Sequence, residues 1–337
     1  MDLDTFLTTL YVLVDDWYKA NMTIAMRRHA GPESQMSDSE VLTVALAGQW
    51  RVGVPWQSER GVVRYMQRHG RGWFPRMLSK SQFNQRVRQL WAALVRLQQD
   101  VANWLASEDD LYECVDCTEL PGCSLSQAAS QAAHWLSGKL GRGGNNGGWF
   151  YGRQLLLSAT ASGGITGWLV GMAQVDDRWM LEAFVSARQE TLQVIGPEVA
   201  PQKRAAPRQV PTESSFGPAV TVGLNCHRPY LADQGFNGAR WITHWSDLYQ
   251  ATVITVPPAN TEPAWERQDI AWLSSHRQIV ETVFARLSEV FGLKRLNAHT
   301  DWGQITRLAA KTAAYNLGIF FNRLLGREDG ALATLIH

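Results

Sequence analysis

The stretch WFYGRQLLLSATASGGITGWLVGMAQ, residues 149–174, decides the class of fold. Two runs rich in aromatic, β-branched and aliphatic residues flank the sequence Ser-Gly-Gly at residues 162–164. Two strand-like runs joined by a short glycine-containing segment are typical of a β-hairpin. An isolated hairpin is only marginally stable in water, so the stretch predicts two antiparallel strands of a larger sheet.

Strands and helices alternate on both sides of this hairpin. Upstream, residues 111–120 (LYECVDCTEL) are strand-like and stop at Pro121 and Gly122. Downstream, the pattern predicts further elements over residues 176–190 (helix), 228–236 (strand), 238–250 (helix), 251–259 (strand), 274–292 (helix) and 304–326 (helix). This order predicts an α/β fold with a mixed sheet and helices on its faces.

The first hundred residues follow a helical pattern instead. Ser37 and Glu40 form a capping-box sequence at the start of residues 37–50, and two more helices are predicted over residues 57–70 and 79–100. Short basic helices joined by glycine and proline turns resemble a helix-turn-helix DNA-binding module. An ordinary helical bundle is the alternative interpretation of the same pattern.

Charge is unevenly distributed, although the net charge of the 337 residues is only +1. Residues 51–96 contain ten Lys and Arg residues and a single acid, Glu59, whereas residues 107–119 are acidic. The basic part indicates a polyanionic partner such as double-stranded DNA, and the acidic part indicates a bound cation or catalysis. We therefore predict a helical DNA-binding domain over residues 1–105 and an α/β domain over residues 106–337.

Two segments lack a regular pattern. Residues 141–148 (GRGGNNGG) predict a flexible glycine loop, and this loop lacks the Gly-Lys-Ser/Thr ending of a phosphate-binding loop. Residues 196–221 are rich in proline, alanine and basic residues, and they predict an irregular insertion in the α/β domain.

The composition favours a reduced, cytoplasmic protein. No run of about 18 apolar residues is present, and the first twenty residues are acidic where a signal peptide is basic. Cys114, Cys117 and Cys123 lie within ten residues, and a zinc set completed by His134 is one interpretation. Cys114 and Cys117 point to opposite faces of a strand, which favours small buried residues instead.

Three carboxylates occupy similar positions in the predicted topology. Asp116 lies within the first strand, Asp233 follows a later strand, and Glu281 lies on the helix after the last strand. Because strand ends in α/β sheets open onto one crevice, we expect the three acids to converge. Such oxygen donors suit Mg²⁺ or Mn²⁺, and a pair of these ions activates the attacking oxygen and stabilises the leaving oxygen in phosphoryl transfer.

Each acid also has a simpler interpretation. Asp116 fits the surface of an edge strand, and Asp233 fits a turn before a glycine. Glu281 lies four residues after Arg277, so the two side chains are also placed for a helical salt bridge worth a few tenths of a kcal/mol.

Several motifs in a fixed order resemble one family. The segments VDCTELP, WFYGRQLLL, ITGWLVGMAQVDDR, YLADQGFNG and HRQIVETVFARLSEVFGLKR are similar to the DDE transposases of bacterial insertion sequences. The resemblance extends from about residue 37 to about residue 325. It implies an RNase H-like catalytic domain, as in retroviral integrases, behind the N-terminal helical domain.

The resemblance implies that Asp116, Asp233 and Glu281 are the catalytic, metal-binding triad. Two Mg²⁺ ions, or Mn²⁺ in their place, would occupy each active site, with Asp116 bridging both. Arg277 matches the arginine of the helix pattern Tyr-x₂-Arg-x₃-Glu-x₆-Lys in related transposases. The tyrosine and lysine positions of that pattern are Ser274 and Ser288 here, so the chain departs from the pattern at its outer DNA contacts.

The implied activity is binding of terminal inverted repeats, followed by metal-dependent phosphodiester hydrolysis and strand transfer into target DNA. We expect eight DNA contacts: Arg64, Arg68, Arg86, Arg88, Arg153, Arg277, Lys294 and Arg295. For Arg153, a charge on the solvated face of the sheet is the alternative. We also expect a homodimer or higher oligomer on DNA, in the bacterial cytoplasm and at the nucleoid when bound.

Two rival functions share these features. One is a host-adopted nuclease of the same fold that acts on another nucleic acid. The other is a DNA-binding regulator whose α/β domain is only a scaffold. Inverted repeats flanking the coding region would argue against the first, and loss of activity in an Asp116 variant would argue against the second.

Overall fold

The computed structural model describes residues 1–22, 34–129, 138–143, 148–190, 216–221, 228–257, 265–298 and 300–337. The chain divides into two compact units. One, here called the helical unit, contains Met1–Leu105 and Ala285–His337, and the other, the α/β unit, contains Ala106–Phe284.

A seven-stranded mixed sheet forms the centre of the α/β unit. Its strands, in chain order, are β1 (Glu113–Cys123), β2 (Lys139–Arg142), β3 (Trp149–Thr160), β4 (Ile165–Met172), β5 (Phe216–Thr221), β6 (Tyr230–Ala232) and β7 (Val253–Thr255). They lie in the order β5-β4-β3-β1-β6-β7, and β2 pairs with β3. The predicted hairpin is confirmed, because β3 and β4 are antiparallel with Leu156 opposite Leu169. Strands β1, β6 and β7 are parallel to one another.

Helices α6 (Leu125–Ala129), α7 (Asp177–Glu190), α8 (Ala239–Tyr249) and α9 (Arg267–Glu289) accompany the sheet. Strand side chains such as Val115 and Leu156 pack with Phe184 of α7 and Trp245 of α8 in one buried cluster. Burial of these large apolar side chains is the main favourable contribution to folding of this layer. The predicted α/β class is confirmed, and the mixed sheet is consistent with an RNase H-like domain.

The helical unit contains α1 (Leu3–Asn21), α2 (Asp38–Ala47), α3 (Glu59–His69), α4 (Lys80–Gln89), α5 (Trp91–Leu105) and α10 (Asp301–Leu324). The capping box of α2 forms as predicted, with Ser37 and Glu40 bonded reciprocally through backbone and side chain. Trp50 is fully buried, and its ring lies 4.9 Å from that of Phe6 and 4.9 Å from that of Phe291.

Residues 285–337 belong to the helical unit, whereas the sequence pattern places them in the α/β domain. Residues 285–337 follow the α/β pattern in the chain, yet they group with residues 1–105. Arg51 donates its backbone N–H to Val290 at 2.8 Å, and Phe291 packs on both Trp50 and Tyr315 of α10. Chain order does not reveal such long-range packing, because the apolar stripe of α10 fits either unit.

Some element boundaries differ from the predictions. The helix predicted over residues 79–100 is interrupted at Leu90, and the apolar stripe continues across the break and conceals it. Strand β1 continues beyond Pro121 to Cys123, with a shift of register there.

The predicted irregular insertion at residues 196–221 is wrong for its last six residues. Residues 216–221 form β5, which pairs with β4 at the edge of the sheet. An edge strand accepts Pro218 because one of its sides needs no ladder hydrogen bonds. Residues 196–215 lie outside the described residues. Within the glycine-rich segment, residues 141–142 belong to β2 and residues 144–147 are also outside them.

Among the helices that the structure describes, none is long and apolar enough to cross a membrane.

A buried ion pair ties β1 to α7. Arg188 of α7 donates to both oxygens of Glu113, at 2.9 and 3.1 Å, and both residues are buried. Ser158 and Thr166 also donate to Glu113. Burial alone would raise the pKa of Glu113, but the Arg188 charge and these hydrogen bonds together lower it. Because both carboxylate oxygens of Glu113 accept hydrogen bonds, the buried charges of this pair have partners within the core.

We expect Glu113→Gln to lower the free energy of unfolding by about 3–5 kcal/mol, because it leaves the Arg188 charge buried without a counter-ion. Denaturation with urea, followed by fluorescence and circular dichroism, measures the change. The control is Arg178→Gln, which breaks the partly exposed pair of Arg178 with Asp176 and should cost less than about 1 kcal/mol. Equal losses in the two variants would contradict the assigned role of the buried pair.

Candidate active site

The two faces of β1 carry different chemistry. Successive side chains of a strand alternate between the faces of the sheet. Val115 and Cys117 pack in the cluster around α7. The Cys114 thiol, on the other face, donates to the His276 carbonyl of α9 at 3.4 Å. Asp116 therefore leaves the strand on the side of α9.

The register between β1 and β6 places a second acid beside the first. Val115 pairs with Ala232 in this parallel ladder, so Asp116 and Asp233 are each the next residue on adjacent strands. Neighbouring strands lie about 4.8 Å apart. Asp233 follows the last residue of β6 and precedes a short 3₁₀ turn over Gln234–Phe236. The two carboxylates consequently lie side by side on adjacent strands.

Helix α9 brings one guanidinium to both of these acids and to a third. Arg277 lies 3.9 Å from Asp116, 3.7 Å from Asp233 and 3.2 Å from Glu281, measured from guanidinium nitrogen to carboxylate oxygen. Glu281 follows Arg277 by one helical turn, so the predicted i,i+4 salt bridge does form. It is only one of three contacts, and Arg277 is the point at which the three acids meet.

The surroundings of Asp116 shift the pKa of its carboxyl group. Burial is the main cause that raises the pKa of Asp116, to about 7 from an ordinary value of 3.8. The Cys117 backbone N–H, which donates to Asp116 at 2.8 Å, lowers that pKa, as does the Arg277 charge. The nearby acids Asp233 and Asp177 raise it again. Asp116 therefore keeps its proton to a higher pH than an exposed aspartate does.

Asp177 is a fourth acid near Asp116 and Asp233, and it is not among the site residues that the sequence predicted. It begins α7, where Gln154 donates to it at 2.6 Å. Burial raises its pKa most, while hydrogen bonds from Cys117 and Gln154 lower it, and the charges of Asp176 and Asp233 raise it. The signal was present in the motif MAQVDDR, where an acid follows a strand and opens a helix.

The donor set is compatible in chemistry with a divalent ion. Carboxylate oxygens are the ligands that Mg²⁺ and Mn²⁺ prefer. In the portion of the chain that the structure describes, no three His, Cys, Asp or Glu side chains are already close enough together to hold an ion. The Arg277 guanidinium lies within 4 Å of each of the three predicted ligands. The acids therefore suit a metal, while their present spacing suits a guanidinium.

The cysteines near Asp116 are free thiols. Cys114 is buried, and burial raises its pKa to about 12. Burial also raises the pKa of Cys117 well above its usual range. Protonated, inward-facing thiols of this kind agree with the interpretation as small buried residues. His134, the fourth residue of the zinc alternative, lies outside the described residues.

The residues expected to contact DNA differ in how far they are exposed to solvent. Arg64, Arg68 and Arg295 are exposed, and Arg88 and Lys294 are partly exposed. All five lie in the helical unit.

The other three residues expected to contact DNA are buried or face acidic side chains. Arg86 forms an ion pair with Asp38, and its side chain is only 12% exposed. Arg153 is buried on β3, which excludes the alternative of a solvated charge. Arg277 faces the three acids described above.

The mixed sheet carries one carboxylate within β1 and another just after β6, on adjacent parallel strands. The class of protein is therefore an α/β domain with an acidic site at its sheet. Comparison with protein families finds one match, the transposase DDE domain, over residues 114–317. The match covers more than half of the chain, and the chain belongs to this family. Searches of the curated proteins and of the solved structures found no match. The resemblance to DDE transposases is thereby confirmed.

We expect Asp116→Asn to raise the thermal stability of the metal-free protein at pH 8. A carboxyl whose pKa is raised from 3.8 to about 7 opposes folding once it is ionised in the unfolded chain. This cost is absent below pH 3.8, grows up to about pH 7 and is constant above it. The gain in melting temperature, measured in EDTA, should therefore be larger at pH 8 than at pH 5.

The control for this prediction is Asp109→Asn, which neutralises an exposed acid of the same unit and should show no such pH dependence. An equal gain for Asp116→Asn at both pH values would contradict the assignment of a raised pKa.

Proposed function

We propose that the protein is a DNA transposase that binds the terminal inverted repeats of an insertion sequence and catalyses hydrolysis and strand transfer. The family supports a transposase function in general. The observation that carries the finer proposal is the convergence of Asp116, Asp233 and Glu281 on Arg277. All three acids lie within the matched residues 114–317.

In this proposal Asp116, Asp233 and Glu281 would hold two Mg²⁺ ions, or Mn²⁺. Bound in pairs, such ions activate the attacking oxygen and stabilise the leaving oxygen of a phosphodiester. The ligands would come from β1, from the residue after β6 and from α9, and Asp116 is partly buried. Carboxylates bind metal in the ionised form, so Asp116 would hold a metal only when deprotonated.

Arg277 has a separate role in this proposal. Its guanidinium offsets part of the repulsion among the acids while the site is empty of metal. Because it lies within 4 Å of each acid, a bound metal would compete with it for their oxygens. A guanidinium beside the acids is well suited to bind a DNA phosphate, to which it can donate two parallel hydrogen bonds.

The reaction has two steps of the same kind. Water first displaces one oxygen of a phosphodiester at the element end, which leaves a free 3′-hydroxyl and a 5′-phosphate. That 3′-hydroxyl then displaces an oxygen in the target strand and joins element to target. Neither step needs a covalent bond between DNA and the protein.

The helical unit supplies DNA binding in this proposal. The best-exposed phosphate contacts are Arg64 and Arg68 of α3 and Arg295, and the partly exposed Arg88 and Lys294 come next. Arg86 and Arg153 are weaker candidates because of their ion pair and burial. Two element ends require at least a dimer on DNA. The site of action would be the bacterial cytoplasm, at the nucleoid.

Asp116→Asn, Asp233→Asn and Glu281→Gln should each abolish nicking of an end-containing oligonucleotide with Mg²⁺ present. Each change removes a negatively charged ligand but keeps the size of the side chain. We expect a loss of at least about 100-fold in the cleavage rate, because ligand removal disturbs the reacting oxygens directly.

Asp247→Asn is the matched control for the three variants, because Asp247 is an exposed acid on α8. It should cleave at the wild-type rate. Wild-type cleavage in any of the three triad variants would show that the assigned residue is not catalytic. Retained biological activity in all three would favour a regulator with a scaffold domain.

Replacing Mg²⁺ by Ca²⁺ should preserve DNA binding and largely prevent cleavage. Ca²⁺ binds the same carboxylates but with longer bonds and a looser coordination than Mg²⁺, so it positions the reacting oxygens poorly. Binding is measured by fluorescence anisotropy and cleavage by gel electrophoresis, on the same DNA. Equal cleavage rates in the two metals would contradict a site that depends on tight Mg²⁺ geometry.

A further inference from the structure

A second cationic site lies in the helical unit, apart from the acids. It is a cavity of about 100 Å³, room for roughly three water molecules at the density of the liquid. Six of its lining residues are positively charged and one, Glu59, is negatively charged. The six are Arg51, Arg60, Lys80, Arg295, Arg307 and Lys311. We call this cavity the basic pocket.

The innermost charge of the basic pocket is that of Lys311. This residue lies on α10, and only 1% of its surface is exposed. Its ammonium donates to the Phe291 carbonyl, which is its only hydrogen-bond acceptor among the described residues. A lysine ammonium has three N–H donors. Two donors of a buried charge therefore have no protein acceptor in the described part of the chain, and Lys311 lines the cavity.

The acid in the basic pocket does not balance its cations. Glu59 accepts from two nitrogens of Arg307, and a third nitrogen of Arg307 donates to the Leu296 carbonyl at 2.8 Å. Arg51 donates to the carbonyls of Gly48 and Trp50. Carbonyl groups are dipoles and leave the charges of Arg51 and Lys311 without a counter-ion.

The pKa shifts of Lys311 and Arg51 agree with this excess of positive charge. Burial is the main cause that lowers the pKa of Lys311 well below its usual range, and the Arg51 and Arg307 charges lower it further, against Glu59. Burial also lowers the pKa of Arg51. An anion in the cavity would offset both effects.

The rim of the basic pocket faces solvent. Arg60, Lys80 and Arg295 are exposed, whereas Arg51, Arg307 and Lys311 are partly or fully buried. Ser58 and Glu59, at the N-terminus of the eleven-residue helix α3, also line it. The positive end of a helix dipole favours a negative group there. A surface opening surrounded by cations, with a buried cation beneath, fits one small oxyanion that belongs to a larger molecule outside.

We infer that the basic pocket binds one phosphate group of the DNA backbone. The inference rests on the proposed function, since DNA is the polyanion of a transposase. The same α3 carries Arg64 and Arg68, so a strand seated over the rim would meet further exposed cations. Lys311 and Arg51 donate to the phosphate oxygens from below, while Lys80 and Arg295 hold it from the rim.

The test compares Lys311→Met, which keeps length without charge, and Lys80→Gln at the exposed rim, where folding is not at stake. Binding of an end-containing duplex is measured by fluorescence anisotropy from 50 to 300 mM salt. For each variant we expect affinity to fall about tenfold and the slope of log K against log salt to decrease by about one. Lys19→Met, an exposed lysine paired with Asp15, is the control and should keep the wild-type slope.

A second arm separates DNA from free phosphate. At constant ionic strength, inorganic phosphate should raise the melting temperature of the wild type more than that of Lys311→Met. If phosphate binds but both variants keep wild-type DNA affinity and slope, the pocket takes free phosphate and the inference is wrong. If the wild type cleaves element ends and the variants match it in both arms, the inference fails while the proposed function stands. If the wild type binds no DNA, both fail.

Discussion

The two faces of β1 impose the constraint on which the rest of the α/β unit depends. One face must pack against α7, and there Glu113 and Arg188 form a satisfied ion pair beside Val115. The other face carries Asp116 towards α9. Because alternation along a strand is fixed, a shift of one residue would exchange the two faces and would bury Asp116 among apolar side chains. The register of β1 that builds the core therefore also fixes the position of Asp116.

Arg188 and Arg277 both contact acids in the α/β unit, but their surroundings differ. Arg188 donates to both oxygens of a single buried carboxylate, and this closed pair belongs to the core. Arg277 contacts three carboxylates at 3.2–3.9 Å, and two of these, Asp233 and Glu281, are about half exposed. One cation among three acids leaves negative potential uncompensated, which a divalent ion would neutralise more fully.

The basic pocket has the opposite imbalance. In the acidic site, carboxylates outnumber the single guanidinium, whereas around Lys311 six cations surround one acid, Glu59. Buried or half-buried charges without partners destabilise a fold, and a ligand of the opposite sign offsets that cost. The opposite imbalances of the two sites are the physical basis of the two proposals, metal ions at the acidic site and a DNA phosphate in the basic pocket.

The sequence by itself determined the elements and the acid candidates. The periodicity of residues 149–174 predicted the hairpin, the Ser37–Glu40 spacing predicted a capped helix, and the motif order indicated the DDE transposase family. These signals are local, since strand alternation, helix caps and turns depend on near neighbours. Tertiary structure alone decided that Arg277 meets three acids, because the meeting depends on the register of β1 with β6 and on the placement of α9.

Packing likewise joined residues 285–337 to the helical unit and placed Lys311 beneath a basic rim, across more than two hundred residues of chain. A buried lysine looks, in sequence, like any polar position on an amphipathic helix. Only the packing around α10 shows that Lys311 lies inside, because burial is a property of the neighbours that surround a side chain and not of its spacing.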